Sequence, residues 1–563
     1  MPKAIFVAKN SYRWYAPGDA NAFFGLMLDN IAGLVLTVGM LSGIFGFPVD
    51  FALRYMVPGT ALGVLIGDLL YFWLAFRLAK RSGRDDVTAM PLGLDTPSTI
   101  GMVLFVLGPA FLAAKSQMLA DGMAEDAAVQ AAAMQAWKIG ICGIVVTGFI
   151  KAGFALGSNW IRKVIPRAGL LGSLAAIALV LIAFTQMPEI AINPIVGFAS
   201  LVIVLFTLIA RGKLPFQIPG ALGAVAIGCI LYYLLLGSDQ AFGSNFVPAV
   251  KEAQNLAWFP TEWLTVFKFE WVFEFGKLVP YLPYIIPFAI ATVIGGIDCT
   301  ESAASAGDDY DARAVIGIEA LATFAAGMCG GVIQTTPYIG HPAYKAMGGR
   351  AAYALATAIF VGGAGIIGYF SLLFMLIPKA AVLPILIFIG IEITAQSFHA
   401  TPRRHYAALA LACVPAMAKL IMIYVGQYLA WIGTVEGAKM PENLVELTLS
   451  LSVLAGGFIL TSLIWASALA KIIDRRFFGA AAFFAIGGVL VTFGVMHSPL
   501  DGDKMFWPGQ LRDTSLFSEE SRQVVINFAL AYLVMSVLMF VLGFLLKDQE
   551  PPINSDAEFE KIS

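Results

Sequence analysis

The chain has 563 residues, 59% of them hydrophobic and only 13% charged, with a net charge of −2. Soluble domains carry about 25% charged residues, so composition excludes a soluble globular protein and places the chain in a bilayer. The net charge says nothing about partners, and no nucleic-acid partner is expected. The five cysteines form neither a disulfide framework nor a zinc-binding spacing.

In chain order, residues 1–21 are polar and lack the apolar core of a cleavable signal, so they read as a cytoplasmic N-terminus. Apolar stretches of about 18 residues or more, each able to cross a hydrocarbon core, then recur along the chain. A first set of seven segments is predicted at 22–47, 55–78, 91–114, 135–156, 168–187, 192–210 and 217–236. Residues 237–278 form an extracytoplasmic loop. A second set follows at 279–304, 312–333, 335–347, 352–376, 381–398, 406–432 and 446–470. Two further spans, 478–496 and 523–546, precede a tail at 547–563.

Positive charge supports this order. Arg77, Lys80, Arg81 and Arg84, then Arg162, Lys163 and Arg167, then Arg403 and Arg404, then Lys471, Arg475 and Arg476 all fall on one side. The positive-inside bias makes that side, and both termini, cytoplasmic.

The third and tenth segments are interrupted. The third opens Met90-Pro91-Leu92-Gly93-Leu94-Asp95-Thr96-Pro97-Ser98, and the tenth opens Gln334-Thr335-Thr336-Pro337-Tyr338-Ile339-Gly340. Proline suits a first helical turn and a preceding Thr, Ser or Asp caps it. Each segment therefore reads as an extended strand feeding a half-helix near mid-membrane. Irregular backbone survives at that depth only when buried in protein or lining a cavity. Paired interruptions in two halves of a chain point to a transporter's binding site.

Charges within the spans mark further candidates, because an ionisable group at the bilayer centre costs about 2.5–3.5 kcal/mol. Asp298 is the candidate coupling acid; the plainer alternative is a structural acid bonded to Thr300 or Ser302. Glu301, one helical turn on, either shares the site or forms a salt bridge. Asp29 needs a partner, a cation or a cavity. Asp95 either contacts the ligand beside Thr96 or caps its own half-helix. His341 is a hydrogen-bond partner for substrate or the polar end of a short helix, and Tyr338 stacks on a planar ring or packs between helices. For most of Asp68, Lys151, Glu319, Glu392 and Lys419, interhelix pairing or snorkelling is the expected explanation. Asp308-Asp309-Tyr310-Asp311 lacks the pattern of a calcium loop and reads as a solvated turn.

Asp298 together with Gln334-Thr335-Thr336-Pro337-Tyr338-Ile339-Gly340 resembles the xanthine/uracil permease family of the nucleobase–ascorbate transporter superfamily. The resemblance covers roughly residues 22–470. It implies an all-α polytopic fold of two inverted seven-segment repeats, with short strands in the third and tenth segments and two extra C-terminal helices here. A core domain would comprise 22–156 and 279–376, and a gate domain 168–236 and 381–470. It further implies a homodimer that moves a nucleobase with protons or sodium. By position, Asp298 matches the family's eighth-segment acid beside the substrate, and Thr336 to Gly340, with Tyr338 among them, its tenth-segment strand and turn. From the residues themselves, His341, Asp95 and Thr96 join them as substrate-contact candidates, and Glu301 and Asp29 join Asp298 as candidates for the coupling ion. Two departures stand out: many relatives carry a substrate-binding glutamate about where this chain has Gly340, and some proton-coupled relatives carry a histidine where it has Ser302.

The resulting expectation is a secondary active transporter of a bacterial inner membrane, not an enzyme and without a bound cofactor. Its cargo is a nucleobase carried with a proton, or with sodium as the alternative ion. The rival within transport is a carrier of organic or inorganic anions with the related sulfate-permease-like fold; the rival of another class is a passive channel.

Overall fold

A computed structural model describes residues 12–164, 166–236, 256–338, 340–432, 441–500 and 505–546. Among these, nine helices are long and apolar enough to cross a membrane, and up to eleven if each of two bent pairs counts as one span. The protein is therefore helical and polytopic. Its first seven segments are α1 (Gly18–Phe45), α2 (Val49–Ser82), strand β1 (Leu92–Leu94) with α3 (Thr96–Ala120), α4 (Glu125–Val164), α5 (Arg167–Ile192), α6 (Pro194–Ile209) and α7 (Gly220–Leu236). The second seven begin with α8 (Leu282–Ser305), α9 (Ala312–Met328), strand β2 (Thr335–Pro337) and α10 (His341–Ala346). The same order of helix, helix, strand and helix thus occurs twice.

The remaining segments are α11 (Ala352–Ile366) with α12 (Phe370–Leu376), α13 (Lys379–His399), α14 (Tyr406–Ile432), and α15 (Glu442–Ala455) with α16 (Phe458–Ile473). The C-terminal pair is α17 (Phe477–Thr492) and α18 (Glu519–Leu546). Hydropathy did not signal that α11–α12 turns by 91° and α15–α16 by 72°. Each bend has a glycine in the left-handed region, Gly368 at φ +90° and Gly457 at φ +64°, where a side chain would be strained.

Two compact units emerge. The first comprises residues 1–157, 188–279 and 288–386. Within it, α2 packs against α9 and α11, and α1 against α11. The described part of the loop before α8 is pinned to this unit by ion pairs of Arg54 with Glu262 (2.9 Å) and Lys138 with Glu270 (2.7 Å). The second unit comprises residues 158–187, 280–287 and 387–563, built around α5, α14 and α16. There the two extra helices join α16 in one apolar core containing Ile464, Phe484, Val491, Phe517 and Tyr532. Trp465 Nε1 donates to the Tyr532 hydroxyl at 2.7 Å, tying α16 to α18.

Candidate functional site

The site is built on the strand pair. β1 and β2 run antiparallel in the register Leu92–Pro337, Gly93–Thr336 and Leu94–Thr335. Two flanking bonds lengthen the ladder, Asp95 N to Gln334 O (3.1 Å) and Tyr338 N to Pro91 O (2.8 Å). Pairing satisfies the backbone groups that a strand would leave orphaned away from water. It also joins the third and tenth segments at their interruptions.

Side chains from neighbouring helices complete the ladder's edges. Asn30 on α1 accepts from Leu94 N at 3.0 Å through Oδ1 and donates through Nδ2 to Leu26 O at 3.0 Å. Asp68 on α2, fully buried, accepts from Leu92 N at 3.1 Å. Asp29 is buried against Gly93, where a Cβ would lie 3.3 Å from Asp29 Oδ2. Asp29 Oδ1 and Asp68 Oδ2 have no hydrogen-bond partner among the described residues.

Behind β2 lies a buried charge pair. Lys151 on α4 and Glu319 on α9 are both 0% exposed, with Nζ 2.8 Å from Oε1. Lys151 Nζ also donates to Thr335 O at 2.7 Å and to Thr323 Oγ1 at 3.4 Å. Thr323 Oγ1 in turn accepts from Thr335 N at 3.2 Å. On the adjoining helix α8, Cys299 Sγ donates to Pro337 O at 3.3 Å, and Thr292 Oγ1 lies 3.3 Å from Gln334 Oε1. Interhelix pairing thus accounts for Lys151 and Glu319, and it sets them directly against the strand.

Among the sequence candidates, Asp95 caps α3: its Oδ2 accepts from Ser98 N at 2.9 Å. Gln334 Nε2 approaches the same oxygen at 3.5 Å. Thr96 is buried at the first position of α3. Thr336 stands at the centre of the ladder opposite Gly93. Tyr338 follows β2 with its ring centroid 6.1 Å from that of Tyr344. Gly340 is the residue before α10, and a Cβ there would lie 2.5 Å from Tyr338 Cε1. The side chains of Asp298 and Glu301 on α8 lie outside the described residues.

His341 is buried and turned to a second cluster. Its Nε2 is 3.1 Å from Thr88 O and 3.3 Å from Asp308 Oδ2. Asp308 corrects the reading of residues 308–311 as a solvated turn, because its side chain is 0% exposed. Lys345 Nζ lies 2.6 Å from Asp308 Oδ1, an Arg84 guanidinium nitrogen 3.2 Å away, and Thr88 N donates to Oδ2 at 3.1 Å. Tyr310 is buried as well, whereas Asp309 and Asp311 are exposed as expected. Burial works against the charge on Asp308. Hydrogen bonds from His341, Lys345 and the Thr88 amide outweigh it and hold the carboxyl below the usual carboxylate range. One acid thus ties the chain before β1 and the half-helix α10 to the α8–α9 turn.

Sequence reasoning missed the edge roles of Asn30 and Asp68 and the network at Asp308. The signal for Lys151 and Glu319 was present: opposite charges within the fourth and ninth segments, each too buried to reach water.

No family model matches this sequence, and no curated protein matches it. Solved structures of similar shape include the transmembrane domain of a cyanobacterium bicarbonate transporter, BicA (14% identity, 74% of this chain and 97% of that one, TM-score 0.43). Another is SLC26A9 (13% identity, 78% and 66%, TM-score 0.43). A third is the murine Slc26a9 anion transporter in the inward-facing state (11% identity, 76% and 70%, TM-score 0.39). At TM-scores below 0.5 these likenesses assign neither a family nor a substrate to the chain.

Proposed function

We propose that this chain is a secondary active transporter that carries a small anion by alternating access, binding it against the β1–β2 ladder. The observation that carries the substrate class is at Gly340. Many of the nucleobase permeases that the sequence resembles place a glutamate about there, an acceptor for a ring N–H. Here the residue has no side chain, and the Tyr338 ring fills the space a Cβ would enter. The main-chain donors at the start of α10 would then be the His341 and Ala343 amides, Pro342 having none, because the first amides of a helix lack intrahelical acceptors. With no carboxylate at position 340, donors on this side suit an anion. Thr336, Tyr338 and Gly340 would line this side, and Asp95 and Thr96 the other; His341, expected at the site from sequence, instead holds Thr88 and Asp308. Asp298 would take the coupling ion, with Glu301 and Asp29 as further acids. A core domain and a gate domain, a homodimer, and an inner-membrane orientation with both termini inside belong to the same proposal.

A second reading, proton-coupled uptake of a neutral nucleobase, is favoured by a different observation. Asp29, Asp68, Asp95 and Glu319 are buried around the ladder, with Lys151 the buried cation beside them. Such an acid surplus disfavours an anion travelling alone and calls for a proton or cation with the cargo.

Thermal stabilisation of the detergent-purified protein separates the readings. The panel is bicarbonate, sulfate and small dicarboxylates against uracil, xanthine, hypoxanthine, guanine, adenine and urate. A ligand at about 100 times its dissociation constant adds about 2.7 kcal/mol of apparent stability. Stabilisation by an anion, lost in Thr336→Val, supports the first reading. Stabilisation by a nucleobase alone replaces it with the second.

A further inference from the structure

Lys151 is an unusual residue to find at the back of a strand within a membrane. Its ammonium is fully buried and meets three oxygens of different kinds: the Glu319 carboxylate at 2.8 Å, the Thr335 main-chain carbonyl at 2.7 Å and the Thr323 hydroxyl at 3.4 Å. A carboxylate, a carbonyl and a hydroxyl around one positive centre are the ligand types that hard metal cations take. In transporters, unwound backbone carbonyls within the membrane are a recurring cation ligand, and Thr335 O belongs to such a stretch. The oxygens come from α9 and β2, whereas the ammonium arrives from α4 on a four-carbon tether.

We propose that Glu319, Thr323 and Thr335 form a cation site that the Lys151 ammonium fills permanently. The chain thus carries a covalently attached substitute for a bound alkali cation. The geometry explains why the lysine is tolerated. A buried carboxylate left alone is strongly unfavourable, and removing one partner of a buried pair costs far more than the pair is worth. It also explains the choice of residue: an ammonium donates three hydrogen bonds as a compact charge, while the planar guanidinium of arginine would not fit three oxygens grouped about a point. Any sodium response of wild type at the coupling ion's position survives Glu319→Gln, which distinguishes it from a response at Glu319, Thr323 and Thr335.

The consequence is a site that removal of the lysine would open. The test uses full-length protein purified in choline chloride, with melting followed as sodium chloride or potassium chloride replaces choline at constant ionic strength. Wild type is expected to show no saturable sodium response that Glu319→Gln removes. Lys151→Ala is expected to melt lower in choline and to recover with sodium in a saturable way. In Lys151→Ala/Glu319→Gln that recovery should vanish, because the carboxylate ligand has gone. Lys151→Gln, which keeps an amide donor and most of the volume, is the milder variant should the alanine chain fail to fold in choline. A purely structural ion pair predicts a loss of stability that no cation restores. Absence of a sodium or potassium response in both lysine variants would overturn the proposal, as would an equal response in wild type that Glu319→Gln removes.

Discussion

Gly296 on α8 and Glu319 on α9 touch: a Cβ at Gly296 would stand 2.7 Å from Glu319 Oε2. The missing side chain lets α8 approach both the buried acid and β2, since the same Cβ would be 3.4 Å from Pro337 Cγ. Gly295, its neighbour, has nothing within 4 Å of the equivalent point. Gly296→Ala should therefore destabilise the protein by about 1–3 kcal/mol, the range for an overpacked site. Gly295→Ala should be neutral or stabilising by up to about 1 kcal/mol, because alanine favours the helix. Melting of the two purified variants side by side checks the contact.

Asp308 should act as an acid-sensitive latch. Its carboxyl titrates below the usual range in the folded protein, so the folded state binds the proton less readily than the unfolded chain. The stabilisation is present in full above the unfolded value of about 4 and is lost as pH falls through the lower folded value. Asp308→Asn should remove that acid-dependent component and lower stability at pH 7 by about 1–3 kcal/mol, since Lys345 and Arg84 lose a charged acceptor but keep Asp86 beside them. Melting temperature against pH for wild type and variant provides the comparison.

At Asn30 the side-chain oxygen matters more than the amide nitrogen. Asn30→Ala leaves Leu94 N without its acceptor, a buried orphan worth about 1–3 kcal/mol. Asn30→Asp keeps the acceptor for Leu94 N and gives up the donor to Leu26 O. The alanine variant should lose more stability than a Thr37→Ala variant on the same helix, whose hydroxyl serves only its own helix at Gly33 O.

Asp95 separates capping from ligand binding. Asparagine caps a helix about as well as aspartate, whereas alanine costs about 0.5–2 kcal/mol. If the carboxylate only caps α3, Asp95→Asn should keep both stability and transport, and Asp95→Ala should lose stability. If its charge serves the cargo or its ion, Asp95→Asn should keep stability and lose transport. Parallel melting and uptake measurements give the answer.

Much of the architecture was legible because bilayer thickness writes itself into the sequence. Each of the sixteen predicted segments has a helix, or a strand with a helix, over its residues. The interruptions at Pro91–Pro97 and Thr335–Gly340 were visible because proline and hydroxyl residues stand where a helix would otherwise continue. That they pair with each other was a matter of topology, which local pattern does not encode. The bends at Gly368 and Gly457 were hidden because two short apolar helices and one long one have the same hydropathy. At the site, Asp95 could be read as a cap from its position before Thr96-Pro97. Asp308 was misread because three acids in four residues resemble a solvated turn, and its cationic partners Arg84 and Lys345 lie far off in the chain. The partner of Asn30 is a main-chain amide, which no residue identity reveals.

The most direct test of the central claim is uptake into proteoliposomes holding the purified protein and a high internal concentration of one unlabelled solute. Labelled bicarbonate, sulfate, a small dicarboxylate, uracil and xanthine are offered outside in turn. The account predicts saturable accumulation of one of the anions, driven by its unlabelled counterpart inside and abolished by Thr336→Val. Accumulation of a nucleobase alone would contradict the substrate assignment, and a non-saturating flux with no exchange would contradict carriage by alternating access.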